Sequence, residues 1–150
     1  MSGNFTVPVH AIWLAQDDPK KNTAVKLSKR NDIHLHRKMN RLPRRGIILE
    51  PLCGKVLGPE DHSLLLQEGG SLVALDCSWN NIETAVSEVM TRTKLKPRML
   101  PLLLAANPVN WGKPGKMTTA EALAASLYLI GEEEHSRKLL AAFSWGEQFF

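Results

Sequence analysis

The chain has 150 residues, is 43% apolar and 23% charged, and carries a net charge of +4. That composition describes an ordinary globular chain, with one compact domain or two small lobes sharing a core, and excludes a low-complexity or collagen-like polymer. No apolar run reaches the roughly 18–20 residues that span a bilayer, and no charged leader followed by an apolar stretch opens the chain, so neither membrane insertion nor secretion is expected. Two cysteines, Cys53 and Cys77, make neither a disulfide framework nor a zinc-ligand spacing, which points to a reduced, cytoplasmic protein with no metal.

The charge is unevenly placed. Between Lys20 and Arg45 stand ten basic residues and one acid, Asp32, so that segment is +9. The remainder holds nine basic and fourteen acidic residues and is −5. Clustered Lys and Arg release counterions from phosphates, so this asymmetry predicts a polyanion-binding face. His34 and His36 lie inside the basic stretch, where contact with RNA or solvent suits them better than a metal.

In chain order, VPVHAIWL at 7–14 reads as a short apolar strand, and AQDDPKKNT as a loop containing Pro19. Residues 24–39 have mixed helical potential, broken by LPRRG at 42–46; GIILEP at 46–51 reads as a second strand. LGPEDHSLLLQEGG predicts a compact helix, with Pro59 near its first turn and Gly69–Gly70 after it. SLVALD at 71–76 is almost continuously apolar, as expected of a central strand covered on both faces. Strand, helix and strand in this order predict parallel pairing. NNIETAVSEVMTRT follows as a helix, and no later segment reads as a convincing strand. TTAEALAASLYLIG at 118–131 is the clearest helix: Thr118 and Glu121 have capping-box spacing and Gly131 sits at the stop. EEEHSRKLLAAF at 132–143 predicts one more, with acids first and bases later. An α/β part over 1–80 and a helical part over 81–150 result.

Two clusters carry candidate chemistry. In ALDCSWNN at 74–81 the central strand ends in Asp76, Cys77, Ser78 and Trp79, and ligands of open α/β sheets bind at carboxyl ends of strands. From the residues alone, Asp76 could equally cap the turn and Trp79 fill the core. The second cluster, LPLLLAANPVNWGKPGKMTTAEA at 100–122, places rigid turn residues between an apolar run and a capped helix. Such a loop can offer main-chain N–H and C=O groups to a purine and ribose. GxGxxG, a phosphate loop, HExxH and GxSxG are absent from the sequence.

DCSW at 76–79, LPLLLAANPVNWGKP at 100–114, TAEALAA at 119–125, FSWGEQF at 143–149 and DDPKKNTAVKL at 17–27 together resemble the small-subunit (16S/18S) rRNA aminocarboxypropyltransferases, in the compact form of the archaeal members. The resemblance runs in order along nearly the whole chain. It implies a SPOUT-like fold: a parallel-sheet α/β N-terminal half and an all-helical C-terminal half in a deep trefoil knot. It also implies transfer of the 3-amino-3-carboxypropyl (acp) group of S-adenosyl-L-methionine to N3 of a (methyl)pseudouridine in small-subunit rRNA, releasing 5′-methylthioadenosine. By motif position, Thr23, Leu75, Leu100, Gly115 and Thr119 would contact the cofactor, the two leucines through their backbones. Trp79 would hold the methionine end, Asp76 is the candidate base or orienter, and Lys21, Lys26 and Lys29 would meet RNA. Gly115 stands where the family often has an aromatic residue, and Trp111 replaces a Tyr. A monomer acting on rRNA or a pre-ribosomal subunit is expected. A SPOUT-like RNA methyltransferase and a non-catalytic rRNA-binding assembly factor are the alternatives.

Overall fold

The computed structural model describes residues 7–13, 22–37, 42–50, 53–66, 70–76, 82–100 and 118–149. Its scaffold is a five-stranded sheet of β1 (Val9–Trp13), β2 (His34–His36), β3 (Arg45–Leu49), β4 (Gly70–Asp76) and β5 (Lys96–Arg98), in the order β2-β1-β4-β3-β5. Every pairing is parallel: His10 sits opposite His34, Trp13 opposite Asp76, Leu49 opposite Ala74, and Ile47 opposite Lys96. β4 is therefore central, as its unbroken apolar run predicts, because both of its faces are covered.

The helices are α1 (Thr23–Lys29), α2 (His62–Leu66), α3 (Ile82–Arg92), α4 (Thr119–Leu129) and α5 (Glu133–Leu140). Strand alternation divides the apolar side chains between two cores. Ala11, Ile47, Leu49, Leu72 and Ala74 pack with α1, α2, α4 and α5 through residues such as Leu27, Leu65, Leu123 and Leu139. Ile12, Ile48 and Val73 face the other way, onto Val89 of α3 and Leu95.

Two expectations are corrected. The mixed helical potential of 24–39 is realised only to Lys29 among the described residues: α1 ends there, Asn31 adopts φ 63°, and Asp32 N–H donates to the Leu27 carbonyl. Asn tolerates that left-handed position, so the chain turns and β2 follows on the sheet edge. The segment after residue 80 does contain a strand. β5 has three residues, one of them Pro97, so it carries no alternating pattern; it exists by pairing with β3 at the opposite edge, where a missing N–H is tolerated.

The helix anticipated over 57–70 begins as a 3-10 turn, Pro59–Asp61, that continues into α2. The capping box of α4 is formed: Thr118 Oγ1 accepts from Glu121 N–H at 3.2 Å, and Thr118 N–H donates to Glu121 Oε1 at 2.9 Å. Gly131, at φ 97°, follows its last turn. Ser136 Oγ donates to the Ala124 carbonyl at 2.6 Å and locks α5 against α4.

Candidate functional site

Because the sheet is wholly parallel, the carboxyl ends of all five strands share one edge. Trp13, His36, Glu50, Asp76 and Arg98 lie at or next to that edge: Trp13 pairs with Asp76, His36 with Ile12, and Arg98 with Leu49, one residue before Glu50, while Leu75 and Leu100 lie close by. The backbone N–H of Glu50 donates to the Arg98 carbonyl at 2.9 Å, which extends the ladder one step beyond β3. Leu75 packs on the α3 side and Leu100 on the opposite, larger core, each half-buried.

Two helices begin beside this edge. The buried Asn22 side chain caps α1 by accepting from Val25 N–H at 3.0 Å. The hydroxyl of Thr23, the first residue of α1, accepts from Ala120 N–H of α4 at 3.1 Å. That bond spans 97 positions of sequence and satisfies one of the donors left open at a helix start. It sets Thr23 next to Thr119, and both side chains are half-buried.

Of the sequence-predicted residues, Thr23 and Thr119 are thus brought together, with Leu75 and Leu100 on the same sheet edge. Asp76 is the last residue of β4, directly opposite Trp13. Lys26 and Lys29 lie exposed on α1, and Lys26 Nζ stands 5.3 Å from the centre of the Phe143 ring. Trp79, Gly115 and Lys21 fall outside the described residues, as do Cys77, Ser78 and Trp111.

Sequence reading missed Glu50, whose side chain is buried although it ends an apolar strand; the acid directly after GIIL and before Pro51 was the available signal. It also missed the ion pair of Arg98 with Asp61, Nε to Oδ1 at 3.0 Å, in which both side chains are nearly sequestered from solvent. Asp61 Oδ2 further accepts from Gly58 N–H at 3.1 Å. The pair fastens the 3-10 turn to β5. Arg37 caps the far side of the edge, with its guanidinium carbon 4.4 Å from the centre of the Trp13 ring.

His10, His34 and His36 form an imidazole cluster on the α3 side of β1 and β2. His10 Nδ1 and His36 Nε2 are 2.9 Å apart, and His10 stacks on His34. Burial, and then the neighbouring His36 and His34, lower the His10 pKa to about 4. Burial and His34 also lower that of His36. Among the described residues no group of His, Cys, Asp or Glu is arranged to hold a metal.

A parallel α/β sheet with two joined helix starts beside its carboxyl edge belongs to the class of α/β folds in which ligands characteristically bind at that edge. The family described as ribosome biogenesis protein, C-terminal, matches residues 47–150. The 16S rRNA aminocarboxypropyltransferase of Methanosarcina acetivorans is 40% identical over 95% of this chain and 79% of its own. That of Vulcanisaeta distributa is 40% identical over 91% of this chain and 72% of its own. A solved structure, the SAM-dependent rRNA:acp-transferase Tsr3 from Vulcanisaeta distributa, superposes with a TM-score of 0.83 at 39% identity, over 96% of this chain and 77% of that one. The chain belongs to the 16S rRNA aminocarboxypropyltransferase family.

Proposed function

We propose that this chain transfers the acp group of S-adenosyl-L-methionine to N3 of a (methyl)pseudouridine in small-subunit rRNA, releasing 5′-methylthioadenosine, as part of ribosome biogenesis. The observation that carries the reading is the Thr23–Ala120 bond, which holds two helix starts together beside the carboxyl edge of the parallel sheet. The likeness to relatives of that activity over nearly the whole chain supports it.

The donor set suits such a ligand. Half-buried hydroxyls of Thr23 and Thr119 and the buried carboxylate of Glu50 can meet ribose and amino-acid groups. Half-buried Leu75 and Leu100 can cover the apolar ring and offer main-chain groups. Gly115, in the sequence that precedes α4, contributes to the cofactor site, and Trp79 holds the methionine end. When bound, the sulfonium makes each of its three attached carbons an electrophile. Selecting among them is a matter of orientation, which a rigid sheet edge supplies. Asp76, at the end of the central strand, takes the N3 proton or orients the methionine amino group. The target base enters extruded from its stack. Lys21, Lys26 and Lys29 guide the RNA.

The same reading takes residues 1–80 as the α/β part carrying the basic segment. Residues 81–150 then form a helix-rich, SPOUT-like part, threaded as a deep trefoil knot and completing the cofactor site; β5 is its one contribution to the sheet among the described residues. A cytoplasmic monomer acting on rRNA or a pre-ribosomal subunit fits this role. Among the described residues no helix is long and apolar enough to cross a membrane. The test is incubation with carboxyl-labelled S-adenosylmethionine and small-subunit rRNA. Label is expected in the RNA with methylthioadenosine as co-product; S-adenosylhomocysteine with unlabelled RNA would show a methyltransferase instead.

A further inference from the structure

The sheet's opposite edge holds a second feature. Arg44, Arg45, Lys94 and Lys96 line a cleft of about 440 Å³ where β3 and β5 begin, together with Gly46 and Leu64. All four cations are exposed, and none forms an ion pair with a carboxylate among the described residues. Ile47 and Lys96 are register partners, so Arg45, two residues before Ile47, projects from the same face as Lys96. Leu64 of α2 borders that face.

The cleft is built rather than incidental. Thr93 Oγ1 donates to the Pro43 carbonyl at 3.1 Å and accepts from Leu95 N–H at 3.3 Å. Those bonds pin the segment bearing Lys94 against the one bearing Arg44. Gly46, at φ 118°, packs so tightly on the Ser71 backbone of β4 that any Cβ would clash there, which fixes the start of β3 against the central strand beside the cleft. Four cations that line one cleft repel one another, and an anion between them relieves that repulsion. Clustered, exposed donors of this kind suit a run of phosphates, and the arginines add bidentate geometry.

We infer that this cleft is a second rRNA-docking site that grips the phosphodiester backbone away from the reacting base. It rests on rRNA being the substrate. At about 3.3 Å per residue, the five residues of β3 place it about 17 Å from the carboxyl edge. The RNA therefore touches the protein at both ends of the sheet, and the nucleotides flanking the target, not only the target loop, contribute affinity.

The experiment measures binding of the full chain to a small-subunit rRNA fragment between about 50 and 200 mM salt. The Lys94→Ala/Lys96→Ala pair should reduce the slope of log K against log salt by about 1.5, and adding Arg44→Ala/Arg45→Ala by about 3, at roughly 0.7–0.9 for each phosphate no longer neutralised. Arg44→Lys/Arg45→Lys should retain the wild-type slope, and S-adenosylmethionine binding should be unchanged throughout. If the fourfold variant unfolds, the lysine pair decides by itself. An unchanged slope overturns the inference. So does a cleft that binds tripolyphosphate, or an acidic peptide, while the variants leave the RNA slope untouched. Label transfer into RNA with no slope change would leave the proposed reaction standing and remove only the cleft; a slope change without transfer would do the reverse.

Discussion

The two ends of the sheet treat charge in opposite ways. At the carboxyl edge, among the described residues, Arg98 is held by Asp61, the exposed Arg37 lies over Trp13, and Glu50 is buried. At the amino edge, Arg44, Arg45, Lys94 and Lys96 are exposed around an open cleft. A half-buried small molecule needs the first arrangement, because an uncompensated charge beside it would hold water and blur its orientation. A polyanion suits the second, because only cations not already held by a carboxylate can neutralise phosphates and release the counterions condensed on them. On the proposed reading, strand polarity separates ligand binding from RNA docking by the length of a strand.

The largest expected effect tests the chemistry of the carboxyl edge. Asp76→Asn should slow acp transfer about 10²–10⁴-fold if the side chain moves a proton, with S-adenosylmethionine affinity little changed. Equal losses in transfer and affinity would reassign Asp76 to ligand binding. Next in size is the buried pair. Asp61→Ala leaves the Arg98 guanidinium without its carboxylate in a nearly dry position, and should cost about 3–5 kcal/mol in urea unfolding. The double replacement Asp61→Leu/Arg98→Met should recover much of that loss, since two apolar groups leave no orphan charge. If the single variant is as stable as wild type, the edge is not charge-compensated in the way described.

Thr23→Val removes the acceptor for Ala120 N–H while keeping the side chain's shape. It should cost about 1–3 kcal/mol of stability and weaken S-adenosylmethionine binding at the same time. A stability loss without a binding loss would detach the helix junction from the ligand site. The smallest effect concerns pH. His10 has a folded pKa of about 4 against an ordinary 6.5, so below about 6.5 the unfolded chain binds the extra proton. Stability should therefore fall as pH drops from about 6.5 through about 4. In His10→Gln that part of the decline should vanish; an identical melting-point-versus-pH curve for the two proteins would contradict it.

Legibility differed by element for physical reasons. β4 and α4 could be read because each contains its own explanation: a continuous apolar run, and a Thr118–Glu121 box with a terminal Gly131. β2 and β5, three residues each with exposed or basic members, have no such internal cause. They form because β1 and β3 present unsatisfied ladder groups to them. The DCSW and NPVNWG motifs identified the family, yet motif position could not reveal that Thr23 accepts a hydrogen bond from α4. Neither could the count of basic residues between Lys20 and Arg45 anticipate that two of them would share a cleft with Lys94 and Lys96.

By itself, the sequence determined the parallel α/β scaffold, the central strand, the capped helix and the family, because these depend on patterns and motifs within short windows. Only the tertiary structure decided which strands flank which, that Asp61 and Arg98 neutralise one another, and that basic residues some fifty positions apart converge. Those outcomes depend on contacts between segments distant in sequence, and no local period encodes such contacts.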